Sequence, residues 1–283
     1  MVVSEGHGVK DRSMTQQQRP KGARRSRFAA WCRQGVVLAA LLAAPPALAQ
    51  PITQLSEAWV NVLGETPGSI DWGHAVATRR ATLEALPAQQ ARLQAELDTL
   101  VASARLAGRS ELSRGLAAWR QAVADADLER SRTPGRHDLP WIAADLRRDL
   151  PMIDVASLGH CEPPRWVEVW HLGGITRVHW YSQMTLGETL DGLPRSTTTR
   201  INRAAVISPL GEIQVRGISA WNREASGLAP GARVVLLLPE AQGLRAALPF
   251  PGTVEEAGWV NQALPEFLAT RLPGEECQLW DVE

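Results

Sequence analysis

The sequence has few lysines, few long apolar runs and no recognisable catalytic motif. Both lysines lie within residues 1–49, and residues 50–283 hold 22 basic and 28 acidic side chains, a net charge of about −6. A mildly acidic chain without a basic stripe is a poor nucleic-acid binder. After the N-terminal segment, no apolar run approaches the roughly 20 residues that a membrane span needs. Since no G-x-S-x-G, P-loop or dinucleotide fingerprint occurs, the sequence identifies no reaction.

The N-terminal segment has the layout of a secretory signal peptide. The basic segment Arg24-Arg25-Ser26-Arg27 precedes the apolar run Val36–Leu42, and Ala47–Ala49 forms a small-x-small cleavage site before Gln50. The apolar run is too short for a transmembrane anchor and is followed by two prolines, so we expect cleavage and export to the periplasm. Two methionines are candidate start sites, Met1 and Met14.

Export bears on the cysteines. Cys161 and Cys277 remain after cleavage, and Cys32 lies before the apolar run, the wrong place for a lipoprotein cysteine. An oxidising compartment favours pairing of the remaining two, although two separate thiols are the alternative. We predict a disulfide that ties the chain end to the start of the second half and stabilises it by about 4–5 kcal/mol.

A second use for Cys161 is a zinc site with neighbouring polar residues. His160, Glu162, His171 and His179 are near it in sequence. Their spacing matches no standard ligand pattern, and the disulfide explains the thiol better. We therefore predict no metal and no cofactor.

The first half is predicted to be mainly helical. Ile52–Leu63 is compatible with a strand and a short turn, and Asp71 is a candidate N-cap for a helix that runs to Leu86. Beyond Pro87, two apolar sets follow helical spacing: Leu93, Leu97, Leu100, Val101 and Ala104, then Leu112, Leu116, Trp119 and Val123. Because such helices bury little alone, we expect an αα-hairpin packed on another element.

The second half reads as a series of short strands. Trp166–His171 alternates, and Gly173-Gly174 turns into a second strand, Ile175–Tyr181. A short helix, Leu186–Leu190, and three further apolar runs follow: Ala204–Ser208, Ile213–Gly217 and Arg233–Leu238. Val234–Leu238 lacks polar alternation, which predicts a strand buried on both faces. This order fits a β-grasp, a mixed sheet crossed by a helix.

Tryptophan is abundant, with eleven residues against three phenylalanines and one tyrosine. If Val167 and Val169 face the core, Trp166 and Trp170 form an aromatic platform on the other face. The platform could be covered by the predicted C-terminal helix, by a protein partner or by a glycan. Five aromatic residues are candidate binding residues on the surface: Trp166, Trp170, Trp221, Trp259 and Phe267. For Trp221-Asn222, however, we favour a structural role as aromatic anchor and amide of an ordered loop.

Several short motifs occur along the chain in an order typical of one family. They are Asp71-Trp72-G-x-A, Pro163-Pro164-Arg165 before WVEVWH, the PLGEIQ hairpin, Ala220-Trp221-Asn222, L-x-PGA at 228–232, and Asn261 followed by FLATRLP at 267–273. Together they resemble the GfcC-like capsule-assembly family and, more loosely, the β-grasp modules of Wza-type polysaccharide export proteins.

The resemblance implies an α+β protein with two β-grasp-like domains and a C-terminal amphipathic helix, Glu255–Leu272. The implied division is a signal peptide (1–49), a first β-grasp-like domain (50–160) with a helical insertion at about 71–132, a second, SLBB-like domain (161–240), and the C-terminal helix and tail (241–283).

The implied role is a periplasmic, non-enzymatic accessory protein for capsule or exopolysaccharide assembly and secretion. Its partners would be export proteins or the polysaccharide itself, and no catalytic residues carry over. The alternatives are a glycan-binding module that uses Trp166, Trp170 and Trp221, and a polysaccharide-modifying enzyme. For the enzyme, Glu168 and Glu224 are the first carboxylates to test.

Overall fold

The computed structural model describes residues 52–65, 68–198, 201–239 and 253–282. The predicted signal peptide, residues 1–49, lies outside them. The described residues form seven α-helices, short 3-10 turns and two sheets, which confirms the α+β class. Within them, no helix combines the length and apolar character needed to cross a bilayer.

The elements are numbered in chain order. The helices are α1 (Leu55–Glu65), α2 (Arg80–Leu106), α3 (Ser110–Ala124), α4 (Leu139–Ala144), α5 (Leu186–Asp191), α6 (Arg195–Thr198) and α7 (Thr253–Ala269). The strands are β1 (Ala75–Arg79), β2 (Val155–Cys161), β3 (Trp166–His171), β4 (Gly174–His179), β5 (Arg203–Ile207), β6 (Ile213–Gly217), β7 (Arg233–Leu236) and β8 (Cys277–Asp281).

The first sheet has the order β1-β2-β8, with antiparallel neighbours. β8, the last of the described strands, thus returns to the first sheet. Cys161 and Cys277 lie directly opposite each other in the β2–β8 pair and form the predicted disulfide. The prediction of this bridge is confirmed, and it closes a loop with a sequence separation of 116 residues.

Two predictions in the first half are wrong. Leu55, Ala58, Trp59 and Val62 all lie on the buried side of α1, so their i, i+3, i+4, i+7 spacing makes a helix where a strand was expected. Asp71 does cap a helix, but only the 3-10 turn Trp72–His74. The chain then enters β1, because pairing with β2 outweighs the local helical signal.

The second sheet has the order β4-β3-β7-β5-β6. β3 and β7 are parallel at its centre, and the other neighbours are antiparallel. Along the chain, the order is strand, strand, two short helices, strand, strand, strand, which matches the predicted order except for the added helix α6. Every residue of β7 is buried, so the prediction of a strand covered on both faces is also confirmed.

The two faces of this sheet carry different cores. One face packs Val167, Val169 and Val234 against α5 and the residues around it. The other face packs Trp170 and Val235 against α2, α3 and α7. The αα-hairpin predicted from helical spacing therefore covers the second sheet, although its helices precede that sheet in the chain.

Candidate functional site

The predicted tryptophan platform is closed by the protein itself. Trp170 is 3% exposed, and its ring lies 6.0 Å from that of Trp119 on α3, centroid to centroid. Trp119 donates from Nε1 to the carbonyl oxygens of His171 and Gly174, both at 3.1 Å, at the β3–β4 turn. The interpretation as an exposed binding residue is wrong for Trp170, because the helices bury this face of the sheet.

The close approach of α3 explains this cover. A Cβ atom at Gly115 would lie 2.0 Å from the carbonyl oxygen of Leu172, so only glycine lets the helix lie on the turn. Trp166, at the other end of β3, is partly buried. Its ring is approached by the guanidinium groups of Arg177 at 4.5 Å and Arg233 at 5.8 Å. Trp166 is therefore a cation–π partner within the chain.

The closing helix α7 also packs on its own chain. Phe267 is fully buried, so its prediction as a surface residue is wrong as well. Trp259 is half-buried, and the guanidinium group of Arg92 on α2 lies 4.4 Å from its ring centroid. The apolar stripe of α7 is thus occupied mainly by intrachain contacts. From the sequence alone, either the same chain or a partner could have covered this stripe.

A cluster of buried charges lies beside Trp166. Glu168 accepts from Trp170 Nε1 at 2.9 Å and from Arg177 Nε at 3.0 Å, and its Oε1 lies 3.4 Å from Arg233 Nε. Burial alone would raise the pKa of Glu168. The charge of Arg233 and the bonds from Trp170 and Arg177 outweigh it and lower that pKa. Glu168 is therefore an ionised structural anchor and lacks the raised pKa of a general acid.

Two further buried arginines, Arg132 and Arg271, join Arg233 at the C-terminal end of α7. Arg132 Nε donates to Ala269 O at 2.9 Å, and Arg233 Nη2 donates to Leu272 O at 2.8 Å. Burial and the neighbouring positive charges lower the pKa of Arg132 to about 9 and that of Arg271 to about 10. Cations at a helix C-terminus are favourable, so this cluster fixes the closing helix to the rest of the fold.

Trp221 is the opposite case, because its side chain is 78% exposed. It lies in the loop 219–228, here called the Trp221 loop. Asn222 fixes this loop: its Oδ1 accepts from Ser219 N at 2.9 Å, and its Nδ2 donates to Asn202 O at 3.1 Å. The predicted role of the amide is confirmed, and the predicted role of Trp221 as an anchor is wrong. An exposed indole on a fixed loop is suited to contact another molecule.

Charged pairs surround the Trp221 loop. Glu224 Oε1 accepts from Gly217 N at 3.1 Å, and its Oε2 lies 3.0 Å from Arg216 Nη1. These bonds lower the pKa of Glu224, and the bond and charge of Arg223 lower that of Asp191. Both carboxylates are therefore ionised at neutral pH and engaged in ion pairs. The surface can offer hydrogen bonds and charge beside a flat aromatic ring.

Among the grooves elsewhere on the described surface, two lie next to a sheet. One, of about 510 Å³, lies between β6 and α7, with Ile213, Val215 and Pro265 in its lining. The other, of about 740 Å³, lies beside the first sheet and is lined by α1, Arg80 and Trp280. Both linings mix apolar and polar side chains: the first groove includes Gln262 and Glu266, and the second includes Glu65 and Asp281.

The residues considered as zinc ligands have other roles in the structure. Cys161 is in the disulfide, and His171 shares a hydrogen bond of 2.9 Å between its Nε2 and Thr176 Oγ1. Burial lowers the pKa of His171. In the part of the chain that the structure describes, no three His, Cys, Asp or Glu side chains are grouped for a metal ion.

The arginine cluster and the edge position of β6 in the described sheet were not predicted from the sequence. A charged residue at the head of a fully buried strand, Arg233, was a signal for the cluster.

Comparison with models of known protein families gave no match, and comparison with characterised proteins gave none either.

Proposed function

We propose that this protein is a periplasmic, non-enzymatic accessory factor for capsule or exopolysaccharide assembly and secretion, and that it acts through protein contacts at the Trp221 loop. The observation that carries the proposal is the 78% exposure of Trp221 on a loop held by the Asn222 amide. Tryptophan is enriched among the residues that dominate binding energy at protein interfaces. Leaving a large ring in water on an ordered loop has no benefit for the fold.

The second sheet supports a β-grasp assignment. Numbered from β3, its strands have the order 2-1-5-3-4, the first and last strands are parallel at the centre, and α5 crosses one face. We extend the assignment to the first sheet, where α2 and α3 lie between β1 and β2 as the helical insertion. Fold alone does not fix function, so the proposed role rests on the motifs that resemble the GfcC-like family together with Trp221.

The periplasmic location is proposed from two features. The Cys161–Cys277 bridge fits an oxidising compartment, and residues 1–49 have the layout of a cleavable signal peptide.

A glycan-binding module is the second candidate. The exposed indole lies on the same loop as Arg223, whose Nη2 is 3.0 Å from Asp191 Oδ1. A flat apolar ring with charged hydrogen-bonding groups beside it is also suited to a sugar. The polysaccharide would then be bound directly and not through an export protein.

The test is complementation of a deletion strain with the Trp221→Ala variant. We expect loss of polysaccharide secretion while the periplasmic amount of the protein stays normal. Leu106→Ala is the matched control, because Leu106 is 75% exposed at the end of α2, and we expect it to restore secretion. Full secretion with Trp221→Ala would refute the proposed contact.

Fluorescence titration with the strain's own polysaccharide separates the candidates. No quenching supports protein contacts, whereas saturable quenching that disappears in Trp221→Ala favours the glycan-binding module. A change in polymer length or substitution would identify an enzyme.

A further inference from the structure

β6 is an edge strand, and two of its residues have no backbone partner on the outer side among the described residues. Hydrogen bonds from Ser208 N to Glu212 O and from Ile218 N to Asn202 O show that the even-numbered residues bond to β5. The odd-numbered residues therefore direct their N–H and C=O groups away from the sheet. Among the described residues, no strand pairs with β6 on this outer side.

The Trp221 loop covers one end of this edge. Gly217 N donates to Glu224 Oε1 at 3.1 Å, and Glu224 N donates to Gly217 O at 3.1 Å. These two bonds confirm that odd-numbered residues face outward. They leave the backbone groups of Ile213 and Val215 as the open part of the edge.

The side chains of the same two residues are exposed and apolar. Ile213 and Val215 are 39% and 50% exposed and lie opposite Ile207 and Ala205. Opposite residues share a face, so both side chains project toward α7, where they line the groove of about 510 Å³. Unpaired N–H and C=O groups at a sheet edge can bond to a strand of another chain.

The residues on either side of the open pair have opposite charges. Glu212 is exposed directly before β6, and Arg216 lies near the end of the strand. Both belong to the other face of the sheet, as does Gln214 between them. The edge thus reads, from its first residue, as acidic, apolar, polar, apolar and basic.

We propose that β6 pairs antiparallel with β6 of a second copy of this chain, with the twofold axis at Gln214. Ile213 then lies opposite the second copy's Val215, and Val215 lies opposite the second copy's Ile213. Each of these pairs exchanges two backbone hydrogen bonds, so all four open N–H and C=O pairs of the two strands are used. The exposed apolar side chains cover one another across the interface.

The same register also brings opposite charges together, in addition to the Arg216–Glu224 pair within each copy. Glu212 lies directly opposite the second copy's Arg216, and the twofold axis repeats this pair. Opposite charges in facing positions stabilise a strand pair. In this one arrangement the apolar side chains, the open backbone groups and the opposite charges all face their counterparts. The edge is therefore complementary to itself, as a twofold interface requires.

Other registers lose these matches. A shift by two residues, with Val215 opposite Val215, places Ile213 opposite Gly217, whose backbone is already bonded to Glu224. It also separates Glu212 from Arg216. A shift by one residue places the outward N–H and C=O groups of one copy opposite residues of the other copy whose N–H and C=O groups are already bonded to β5.

The interface is small, so we expect a weak and reversible dimer. One short strand pair buries less surface than the roughly 1,000 Å² of a stable interface, which corresponds to dissociation in the micromolar range or above. The pairing does not depend on the function proposed above.

Sedimentation velocity of the purified protein, from about 1 µM to about 500 µM, is the primary test. We expect a monomer–dimer equilibrium. Glu212→Arg and Arg216→Glu each place like charges opposite one another twice and should raise the dissociation constant at least about tenfold. An equimolar mixture of the two variants restores opposite charges at both positions and should associate again.

A monomer at every concentration would overturn the proposal and leave the edge to a strand of another protein. The proposal would also be overturned if both charge variants dimerise like the wild type, or if their mixture stays monomeric. Circular dichroism of each variant shows whether it folds, which matters for Arg216 because of its bond to Glu224.

A cysteine at the axis provides a second measurement that does not change the charges. Gln214→Cys places two thiols at a close, non-hydrogen-bonded pair, where a disulfide between copies can form. We expect a covalent dimer on non-reducing gels. Thr99→Cys, on the exposed side of α2, is the matched control and should stay monomeric. Equal yields for both variants would contradict the twofold axis at Gln214.

Discussion

Replacing Glu168 with glutamine tests whether the buried charge cluster holds the fold. Glutamine has the same shape, and its side-chain oxygen can still accept from Trp170 Nε1, as Glu168 does at 2.9 Å. The substitution removes one negative charge and puts an NH2 group in place of the oxygen that accepts from Arg177 Nε at 3.0 Å, so that bond is lost as well. The buried guanidinium group of Arg233, 3.4 Å from Glu168 Oε1, loses its counter-charge.

The structure sets the expected size of the effect. Arg233 and Glu168 are about one-tenth exposed as side chains, so breaking their pair should cost about 3–5 kcal/mol. Arg177 contributes little to this loss, because it is half-exposed and keeps Glu275 as a partner. A domain has about 5–15 kcal/mol of stability in total, so Glu168→Gln should lower the urea midpoint strongly.

The pH dependence gives the effect a signature. The folded pKa of Glu168 is below the unfolded value of about 4.3. Its stabilising contribution is therefore complete above the unfolded pKa and is lost as the pH falls through the folded pKa. The difference in unfolding free energy between wild type and Glu168→Gln should be constant from about pH 8 to about pH 6 and shrink below about pH 4.

Urea unfolding followed by tryptophan fluorescence, without reductant, measures this difference at each pH. Glu275→Gln is the control: it removes a charge from the exposed pair with Arg177 and should cost less than about 1 kcal/mol. A cost for Glu168→Gln as small as the control's would refute the reasoning. A difference that stays the same down to about pH 3 would also refute it.

Three further predictions follow from the contacts described. Reducing the Cys161–Cys277 bridge, which spans 116 residues, should lower the unfolding free energy by about 4–5 kcal/mol, and an unchanged urea midpoint with reductant would contradict it. Trp170→Ala should cost about 3–5 kcal/mol and Trp221→Ala less than about 1 kcal/mol in thermal or urea unfolding, because one ring is buried and the other exposed; equal costs would be inconsistent with these positions. Gly217→Ala should displace the Trp221 loop, because its Cβ would lie 2.0 Å from Asn222 O. Gly227→Ala in the same loop meets nothing within 4 Å and is the control, with the shift of the Trp221 indole N–H signal in NMR spectra as the measure.

The order of the second sheet could be predicted because its strands are separated by local turn signals. Gly173-Gly174, Pro209–Gly211 and Pro230-Gly231 each mark an end of a strand, and β7 shows its burial in an unbroken apolar run. The helical hairpin of α2 and α3 was equally local, since the apolar spacing alone defines its buried face.

β1 could not be predicted in this way. Ala75–Arg79 follows a good helix cap and carries small residues, so its local pattern favours a helix. It is a strand because Val76 and Ala77 pair with Gly159 and Leu158, more than 80 residues along the chain. Pairing at that distance leaves no trace in the local sequence.

At the candidate site, too, the local sequence predicts some features of the tryptophans, whereas contacts between distant segments decide others. The alternation of β3 correctly separates Trp170 from the valines beside it, but it does not say which face the helices cover. The cover is supplied by Trp119, from a helix that precedes the sheet. For Trp221, the polar neighbours Asn222 and Arg223 were the available signal, since an anchor in a core is usually flanked by apolar residues.

The Trp221 loop and the β6 edge are joined at Gly217. Its backbone groups are bonded to Glu224, which ends the open edge, and the space beside its Cα is filled by Asn222, which fixes the loop. In the proposed strand pair, Arg216 lies opposite the second copy's Glu212. Each Trp221 loop would therefore lie next to the other copy's Pro209–Glu212 turn, at opposite ends of the paired strands.

A weak dimer would present two copies of the exposed tryptophan to one partner or one polymer, and linked sites bind more tightly than either site alone. Self-pairing at β6 would thus strengthen contacts at Trp221 without contributing any residue to them.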